Sequence, residues 1–251
     1  MVPNPILMHP ALALTRPLVF AHRGGSKLAP ENTMAAFDAG MAAGADGLEV
    51  DVHLSRDGVA VAHHDRLLDR TTRATGPIRE RTAAELASLD VPALRDVLAR
   101  HPRAKIIIEL KEHGADLARA VIEDVRRADA VERVCLGSFN AGVLRAARAI
   151  DPQVATSGGR MDVRVALSRS WVGLSPGRVP YQAFQVPEVS GGTRVVSPRF
   201  VKLAHKARIV VQVWTVDDPD DIRRLLEWGV DGIITDRPDI AAAVVTDWAA
   251  R

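Results

Sequence analysis

The chain contains 251 residues with a mass of 27.1 kDa, and its 33 basic residues nearly balance its 31 acidic ones. Hydrophobic residues make up 47% of the chain and charged residues 25%, which excludes disordered and collagen-like proteins and supports one large α/β domain or two small ones. The basic residues are spread along the chain without a stripe of interleaved aromatic residues, so we expect no nucleic-acid partner.

The sequence lacks the features of membrane-spanning and disulfide-stabilised proteins. Its longest apolar runs, such as 240–245, are far shorter than the ~18–20 residues that cross a bilayer as a helix. Segment 1–14 is interrupted by prolines and has no basic start, so we expect no secretory signal peptide and a cytoplasmic protein. Cys135 is the only cysteine, which excludes an intrachain disulfide framework and any zinc or iron–sulfur site built from several cysteines.

Short strand-like runs alternate with helix-like runs along the chain. In chain order, the pattern predicts a strand at 18–22, a helix at 34–43, paired strands at 47–54 and 59–63, a strand at 105–110 and a helix at 115–128. It then predicts a strand at 131–139, a helix at 141–150, a strand at 154–157, a helix at 163–168, a strand at 181–186, a helix at 198–206, a strand at 209–216, a helix at 220–228, a strand at 232–235 and a helix at 238–248.

The number of units in this series indicates the fold class. About eight strand–helix units in a chain close to the ~250 residues of a typical (β/α)8 barrel favour that α/β architecture over an open doubly wound sheet. No linker or low-complexity tract divides the series, so we predict a single domain over 1–251 with its core at about 17–248. In such barrels, catalytic groups lie at the C-terminal ends of the strands.

Acidic residues alternate with apolar ones in two of the predicted strands. Because side chains repeat every two residues in a strand, Glu49 and Asp51 share one face, and Glu109 shares a face with Lys111. Carboxylates that point into a barrel must be paired or bind a cation. A structural Glu–Lys pair is the alternative for one strand, but two such strands favour a site. Three carboxylates without cysteine predict a divalent cation such as Mg²⁺ or Ca²⁺.

Histidines follow two of the predicted strands. His22 precedes Arg23 and two glycines, a pattern in which the backbone can approach a ligand and the guanidinium can bind an anion. His63 and His64 end the second of the paired strands, on opposite faces. Phosphoester cleavage needs a base for the nucleophile and an acid for the leaving alkoxide, and two histidines could supply both. Trp214 is also near a strand end, where it could pack on the substrate or fill the barrel mouth.

Together, these segments resemble the motif series of the glycerophosphodiester phosphodiesterase family. The matching segments occur in the family's order and span 20–238. They are FAHRGG (20–25), PENT (30–33), LEVDV (48–52), HHD (63–65), LDRTT (68–72), IELK (108–111), VWTV (213–216) and GVDGIITDRP (229–238).

The resemblance implies a metal-dependent TIM barrel that hydrolyses glycerophosphodiesters, such as deacylated phospholipids, to glycerol 3-phosphate and an alcohol. It implies that His22 and His64, rather than His63, form the acid/base pair. The implied metal ligands, for Mg²⁺ or Ca²⁺, are Glu49, Asp51 and Glu109. The implied substrate and phosphate contacts are Arg23, Lys111 and Trp214. The attacking group is left open between the substrate's glycerol 2-hydroxyl and water.

One departure from the family pattern concerns the substrate. Family members commonly carry a small insertion after the second strand, and here the segment between Thr72 and Glu109 is predicted to be shortened. We expect a more open mouth that admits bulkier head groups or lysophospholipids. A phospholipase-D-like enzyme acting on lysophospholipid or sphingomyelin is the alternative within the same chemistry. A catalytically silent barrel is disfavoured because both histidines and all three carboxylates are present. The preferred alcohol and the oligomeric state are left open.

Overall fold

The computed structural model describes residues 9–250, and eight parallel strands in this part of the chain form a nearly closed barrel. The strands within the described residues are β1 (Leu18–Ala21), β2 (Gly47–Leu54), β3 (Ala60–Ala62), β4 (Lys105–Leu110), β5 (Val134–Gly137), β6 (Ala155–Thr156), β7 (Ala183–Pro187), β8 (Val189–Ser190), β9 (Thr193–Arg194), β10 (Val210–Trp214) and β11 (Gly232–Thr235). Strands β2, β4 and β11 have the predicted bounds. The predicted (β/α)8 architecture is therefore confirmed.

Hydrogen bonding runs through the barrel strands in the order β6, β5, β4, β2, β1, β11, β10, β7. The remaining gap, between β6 and β7, is bridged just after β6, where Ser157 forms a parallel bridge with Ala183. The N–H of Gly158 also donates to the carbonyl of Ala183 at 2.9 Å. β3 lies outside the ring and pairs antiparallel with β2, and β8 and β9 form a separate hairpin.

Helices cover the outside of the barrel. They are α1 (Met34–Ala42), α2 (Ala83–Ala87), α3 (Leu94–Arg100), α4 (Ala115–Arg127), α5 (Ala141–Ile150), α6 (Arg160–Trp171), α7 (Pro198–Lys206), α8 (Pro219–Glu227) and α9 (Pro238–Ala249). Helices α1, α5, α7 and α8 begin where the side chain of Thr33, Asn140, Ser197 or Asp218 accepts a backbone N–H, and α7, α8 and α9 have proline at the start. These capping residues explain why helix starts can be read from the sequence.

The core has two layers. Between the strands and the helices, a large apolar cluster includes Val50, Val52 and the corresponding outward residues of the other barrel strands. Inside the barrel, a smaller cluster contains Leu18, Phe20, Ile107 and Ile234. The end of the barrel at the strand N-termini is filled by Ala11, Leu12, Cys135, Ala155, Ala183 and Val210. The interior is thus closed at that end, and the polar residues lie toward the opposite one.

The structure differs from the predicted elements in several places. β5 begins at Val134 because Val131–Arg133 form a 3-10 turn. The helix predicted at 163–168 is α6, which extends over Arg160–Trp171. Helices α2 and α3 and the β8–β9 hairpin are short elements that hydrophobic periodicity does not predict. α2 carries a recognisable signal nevertheless, because Thr82 and Glu85 form a capping box at its start.

The segment between β3 and β4 packs beside the barrel on a small cluster of its own. This cluster contains Val61, Leu68, Ile78, Ala83, Leu86 and Val91. That the segment is shortened stays a prediction. From residue 9 to residue 250, no helix is long and apolar enough to cross a membrane.

Candidate functional site

All eight predicted site residues line one cavity at the C-terminal ends of the barrel strands. The cavity has a volume of about 690 Å³. The predicted residues that line it are His22, Arg23, Glu49, Asp51, His64, Glu109, Lys111 and Trp214. They come from segments up to 192 positions apart, and the parallel barrel brings them together because it directs all strand C-termini to one end.

The carboxylate of Asp51 is held by two cationic side chains. Lys111 Nζ lies 2.8 Å from Asp51 Oδ1, and Arg23 Nε lies 3.1 Å from Oδ2 without hydrogen-bond geometry. Asn32 Nδ2 donates to the same Oδ2 at 3.0 Å. Burial raises the pKa of Asp51, but the charges of Lys111 and Arg23 outweigh it and hold the pKa below its usual range. Asp51 is therefore ionised.

The two glutamates of the site have fewer contacts that stabilise a negative charge than Asp51 has. Glu49 Oε2 accepts a 3.0 Å hydrogen bond from the backbone N–H of Arg23, and burial together with the charge of Asp51 raises the pKa of Glu49 to about 7. Burial raises the pKa of Glu109 to about 8. Because both cationic side chains contact Asp51, an added positive charge would favour the ionised form of both glutamates.

A buried amide oxygen and a glycine lie beside Glu109. Gln185 Oε1 is buried and has no hydrogen-bond partner, although Gln185 Nε2 donates to Gln212 Oε1 at 3.0 Å. A Cβ atom at Gly137 would lie 2.6 Å from Glu109 Oε2 and 2.6 Å from Gln185 Oε1. Glycine at this position thus leaves space for both oxygen atoms, and the unpartnered amide oxygen is a further neutral donor atom beside the carboxylates.

The chemistry of these oxygen donors suits a hard divalent cation. The carboxylates supply only oxygen, come from the adjacent strands β2 and β4, and include two groups whose ionised forms need a cation. Within residues 9–250, no three histidine, cysteine or carboxylate side chains converge closely enough to hold an ion as they stand. Binding would therefore require Glu49, Asp51 and Glu109 to converge further.

His22 occupies a sharp turn directly after β1. Its Nδ1 lies 2.7 Å from Asp236 Oδ1, and its Nε2 lies 4.0 Å from Glu49 Oε2. Since a carboxylate can only accept, Nδ1 carries the proton and Nε2 is left for the cavity. Burial lowers the pKa of His22, but the hydrogen bond to Asp236 and the charge of Glu49 outweigh it, so the net shift is upward.

His64 is oriented in the same way by a different aspartate. Its Nδ1 lies 2.6 Å from Asp65 Oδ1, and Arg70 Nε donates to Asp65 Oδ2 at 2.6 Å. The hydrogen bond from Arg70 is the main cause that lowers the pKa of Asp65 to about 2. Burial lowers the pKa of His64, so the two cavity histidines shift in opposite directions. Pairs with opposed shifts are typical of acid and base partners.

The adjacent histidine is turned away from the cavity. His63 is buried, its Nδ1 donates to the carbonyl oxygen of Asp65 at 2.8 Å, and its Nε2 lies 2.9 Å from Thr71 Oγ1. Of the two neighbouring histidines, only His64 lines the cavity.

Sequence reasoning assigned no role to several residues of the site. Asp236 and Asp65 lie inside quoted motifs, and their signal is an acidic residue that follows a strand end or an adjacent histidine. Gln185 carries no such signal, because it lies in a strand of otherwise apolar residues. Its position becomes meaningful only when the barrel places it across from Glu109.

The cavity also has an apolar lobe. The ring of Phe139 packs edge-on against Trp214 with a centroid distance of 6.0 Å, and the guanidinium of Arg160 lies 5.2 Å from the centroid of the Phe139 ring. The other apolar residues on this side of the cavity are Val163, Leu167, Trp171, Val186 and Val195. The charged cluster lines the same cavity, which therefore presents both a polar and an apolar surface to a ligand.

Comparisons with known proteins place the chain in a family. Residues 22–240 match the model of the glycerophosphoryl diester phosphodiesterase family. A glycerophosphodiester phosphodiesterase of Caldanaerobacter subterraneus is 32% identical over 241 residues, which cover 88% of this chain and 95% of the relative.

Two solved structures have the same fold. The glycerophosphodiester phosphodiesterase of Agrobacterium tumefaciens superposes with a TM-score of 0.74 at 29% identity, covering 90% of this chain and 99% of that one. A phosphodiesterase of Oleispira antarctica, in complex with its product sn-glycerol 3-phosphate, superposes with a TM-score of 0.75 at 25% identity, covering 92% of this chain and 97% of that one.

Proposed function

The chain belongs to the glycerophosphoryl diester phosphodiesterase family, and we propose that the cavity histidines and carboxylates carry out its reaction. As a phosphoric diester hydrolase, it cleaves glycerophosphodiesters to glycerol 3-phosphate. The observation that supports the assignment is that both histidines line one cavity with the three carboxylates, each histidine held by its own aspartate.

The two histidines form the acid/base pair. One accepts the proton of the attacking hydroxyl group, and the other donates a proton to the leaving alkoxide. Asp236 holds His22 and Asp65 holds His64 through Nδ1, so each ring presents Nε2 to the substrate. Since the aspartates favour the protonated imidazole, each ring is stabilised at the moment when it carries charge.

The carboxylates Glu49, Asp51 and Glu109 would hold a divalent cation, Mg²⁺ or Ca²⁺, once they converge on it. Such a cation, when bound, polarises a phosphoryl oxygen and favours ionisation of the attacking hydroxyl. Lys111 and Arg23 neutralise charge that grows on the phosphoryl oxygens, and both already lie within 3.1 Å of Asp51. Trp214 packs against the substrate at the boundary of the polar and apolar sides, where it contacts Phe139.

A second substrate class, lysophospholipids, is favoured by the apolar lobe. The polar cluster accommodates the glycerophosphate group, whereas Phe139, Leu167 and Trp171 offer an apolar surface that a glycerol or choline group does not need. A single alkyl chain matches this surface. Hydrolysis of a lysophospholipid would use the same residues and release the head-group alcohol or the lipid alcohol.

Phosphorus NMR of the purified protein tests both assignments. Glycerophosphocholine, glycerophosphoethanolamine, glycerophosphoglycerol and lysophosphatidylcholine are each incubated with Mg²⁺, Ca²⁺ or a chelator. We expect glycerol 3-phosphate from the three glycerophosphodiesters, and lysophosphatidate or phosphocholine from lysophosphatidylcholine, to form only with metal. A cyclic phosphate signal would identify attack by the 2-hydroxyl group.

Variants connect the reaction to the residues. His22→Ala and His64→Ala should each lower turnover by about 10²–10⁴-fold with the fold intact. The matched control is His205→Ala, because His205 also lies 2.7 Å from an aspartate, Asp231, but does not line the cavity. Glu49→Gln should weaken metal binding, measured by calorimetry. Full turnover in His22→Ala or His64→Ala, or unchanged metal affinity in Glu49→Gln, would contradict the assigned roles.

A further inference from the structure

Exposed apolar side chains are concentrated around the cavity mouth. Of the nine large hydrophobic residues exposed in the described part of the chain, seven lie on three neighbouring segments beside the mouth. We call this group the mouth patch; it consists of Phe139, Met161, Val165, Trp171, Val172, Leu174 and Val189. Phe139 and Trp171 line the cavity itself, and Val189 belongs to the hairpin whose Ser190 and Thr193 also line it. The patch is therefore continuous with the substrate site.

Helix α6 and the turn that follows it carry five of the seven residues of the mouth patch. Its inner face is buried through Ala166 and Leu167, as expected for a helix that packs on a barrel. Its solvent face, however, exposes Met161 and Val165, and the turn that follows exposes 72% of Val172. Outer helix faces of such proteins are normally polar, and contiguous exposed apolar surface marks an interaction site.

Positive charge is interleaved with these apolar residues. The segment 160–178 contains four arginines and one acidic residue, Asp162. That aspartate is engaged in capping α6, since its Oδ2 accepts the N–H of Gly159 at 2.9 Å. On the neighbouring α7, Arg199 donates to the carbonyl oxygen of Trp171 at 3.2 Å, and the exposed Lys202 lies beside it. An apolar face bordered by basic residues matches an anionic lipid surface.

A second copy of the chain fits the patch less well. A two-fold dimer brings the same surface of both copies together, so the arginines of α6 would face each other without enough acidic partners. Such a dimer would also cover the cavity mouth, because Phe139 and Trp171 belong to both surfaces. A lipid surface avoids both difficulties, since its phosphates pair with the arginines and its molecules reach the cavity.

We propose that the mouth patch docks the enzyme on an anionic lipid surface, with the cavity opening toward that surface. Apolar side chains of α6 and its following turn insert among the acyl chains, and the arginines contact the phosphates. The docking itself does not depend on the reaction. Its value to the enzyme rests on the proposed function, because amphiphilic glycerophosphodiesters are concentrated at such a surface.

Vesicle co-sedimentation tests the proposal with the whole protein. Vesicles of phosphatidylcholine are compared with vesicles that also contain phosphatidylglycerol, at low and high salt. We expect binding to the anionic vesicles to be at least about tenfold tighter and to weaken with salt.

Two variants separate the apolar from the charged contribution. Val165→Ser combined with Val172→Ser and Leu174→Ser should lower vesicle affinity at least about tenfold, and so should Arg164→Glu combined with Arg178→Glu. The controls are Leu67→Ser, an exposed apolar residue outside the patch, and Arg95→Glu combined with Arg119→Glu on α3 and α4. The controls should bind vesicles as the unchanged protein does.

The outcomes that would overturn the proposal are distinct from failure of the enzymatic assignment. Absence of vesicle binding, or equal binding to neutral and anionic vesicles, would contradict docking even if glycerophosphocholine is hydrolysed. A dimer mass by light scattering that the serine variant reduces to a monomer would assign the patch to a second copy. Hydrolysis of glycerophosphocholine by the serine variant should be unchanged, because its three substituted residues do not line the cavity.

Discussion

Replacement of Asp236 by asparagine tests how the structure prepares His22 for proton transfer. The carboxylate of Asp236 lies 2.7 Å from His22 Nδ1 and is the main contact that raises the pKa of His22 against the effect of burial. Asparagine has nearly the same shape but no charge. The substitution therefore removes the electrostatic support and also allows an amide N–H to face the ring, which disfavours the tautomer with Nε2 free.

The magnitude follows from the type of hydrogen bond. A hydrogen bond to a charged group contributes ≈1.5–3 kcal/mol and a neutral one ≈0.5–1.5 kcal/mol. Replacing the carboxylate by an amide therefore lowers the stabilisation of the protonated His22 ring by about 1 to 1.5 kcal/mol. Because the carboxylate favours the charged ring, its loss lowers the pKa. We expect kcat to fall about 10²-fold, since the tautomer is disturbed as well.

Two measurements check this prediction. An NMR titration of the His22 ring proton, assigned by comparison with His22→Ala, reports the pKa directly, and the pH profile of kcat should shift its His22-dependent limb toward lower pH. Asp239→Asn is the matched control, because Asp239 pairs with Arg237 and does not contact His22. If Asp236→Asn left the pKa of His22 and kcat as they are in the control, the proposed role of Asp236 would be wrong.

Two further predictions concern the barrel interior and the folded-state stability. Gly137→Ala would place a Cβ atom 2.6 Å from Glu109 Oε2 and Gln185 Oε1. Calorimetry should therefore show metal affinity about tenfold weaker, while the circular dichroism spectrum is unchanged. Unchanged metal affinity would contradict the packing argument. Burial raises the pKa of Asp124 to about 6, so the contribution of this group to native-state stability should be greatest below about pH 4 and be lost as the pH rises through 6. Asp124→Asn should therefore raise the free energy of unfolding in urea by about 1 kcal/mol at pH 7 and by much less at pH 4. The expected gain at pH 7 is smaller than the pKa shift alone would give, because solvent screens part of the charge. An equal gain at both pH values would refute the role of the charge.

Most of the barrel can be predicted from local pattern. β2 and β4 have the predicted bounds because apolar residues recur at every second position of β2 and fill most of β4, and these residues are buried. α5 and α7 have the predicted bounds because Asn140 and Ser197 cap their starts. The short helices α2 and α3 and the β8–β9 hairpin escape prediction, since elements this short are held by tertiary packing rather than by periodicity.

Part of the candidate site can also be predicted from local pattern, and part depends on the path of the chain. The alternation in LEVDV places Glu49 and Asp51 on one face, and the structure has both on the cavity side. The pattern predicts a rival in His63, and only the path of the chain after β3 turns that ring toward Thr71 and brings His64 to the cavity. Which ring nitrogen faces the substrate is likewise decided by Asp236, 214 positions from His22.

By itself, the sequence determined the strand–helix series, the inward carboxylates and the set of motifs, because side-chain alternation and helix capping act between residues that are close in the chain. The tertiary structure alone decided the pairing of His22 with Asp236, the unpartnered Gln185 oxygen beside Glu109, and the apolar mouth beside α6. These features depend on distances between residues that the barrel brings together from remote strands. Such distances are set by closure of the sheet, which no local pattern encodes.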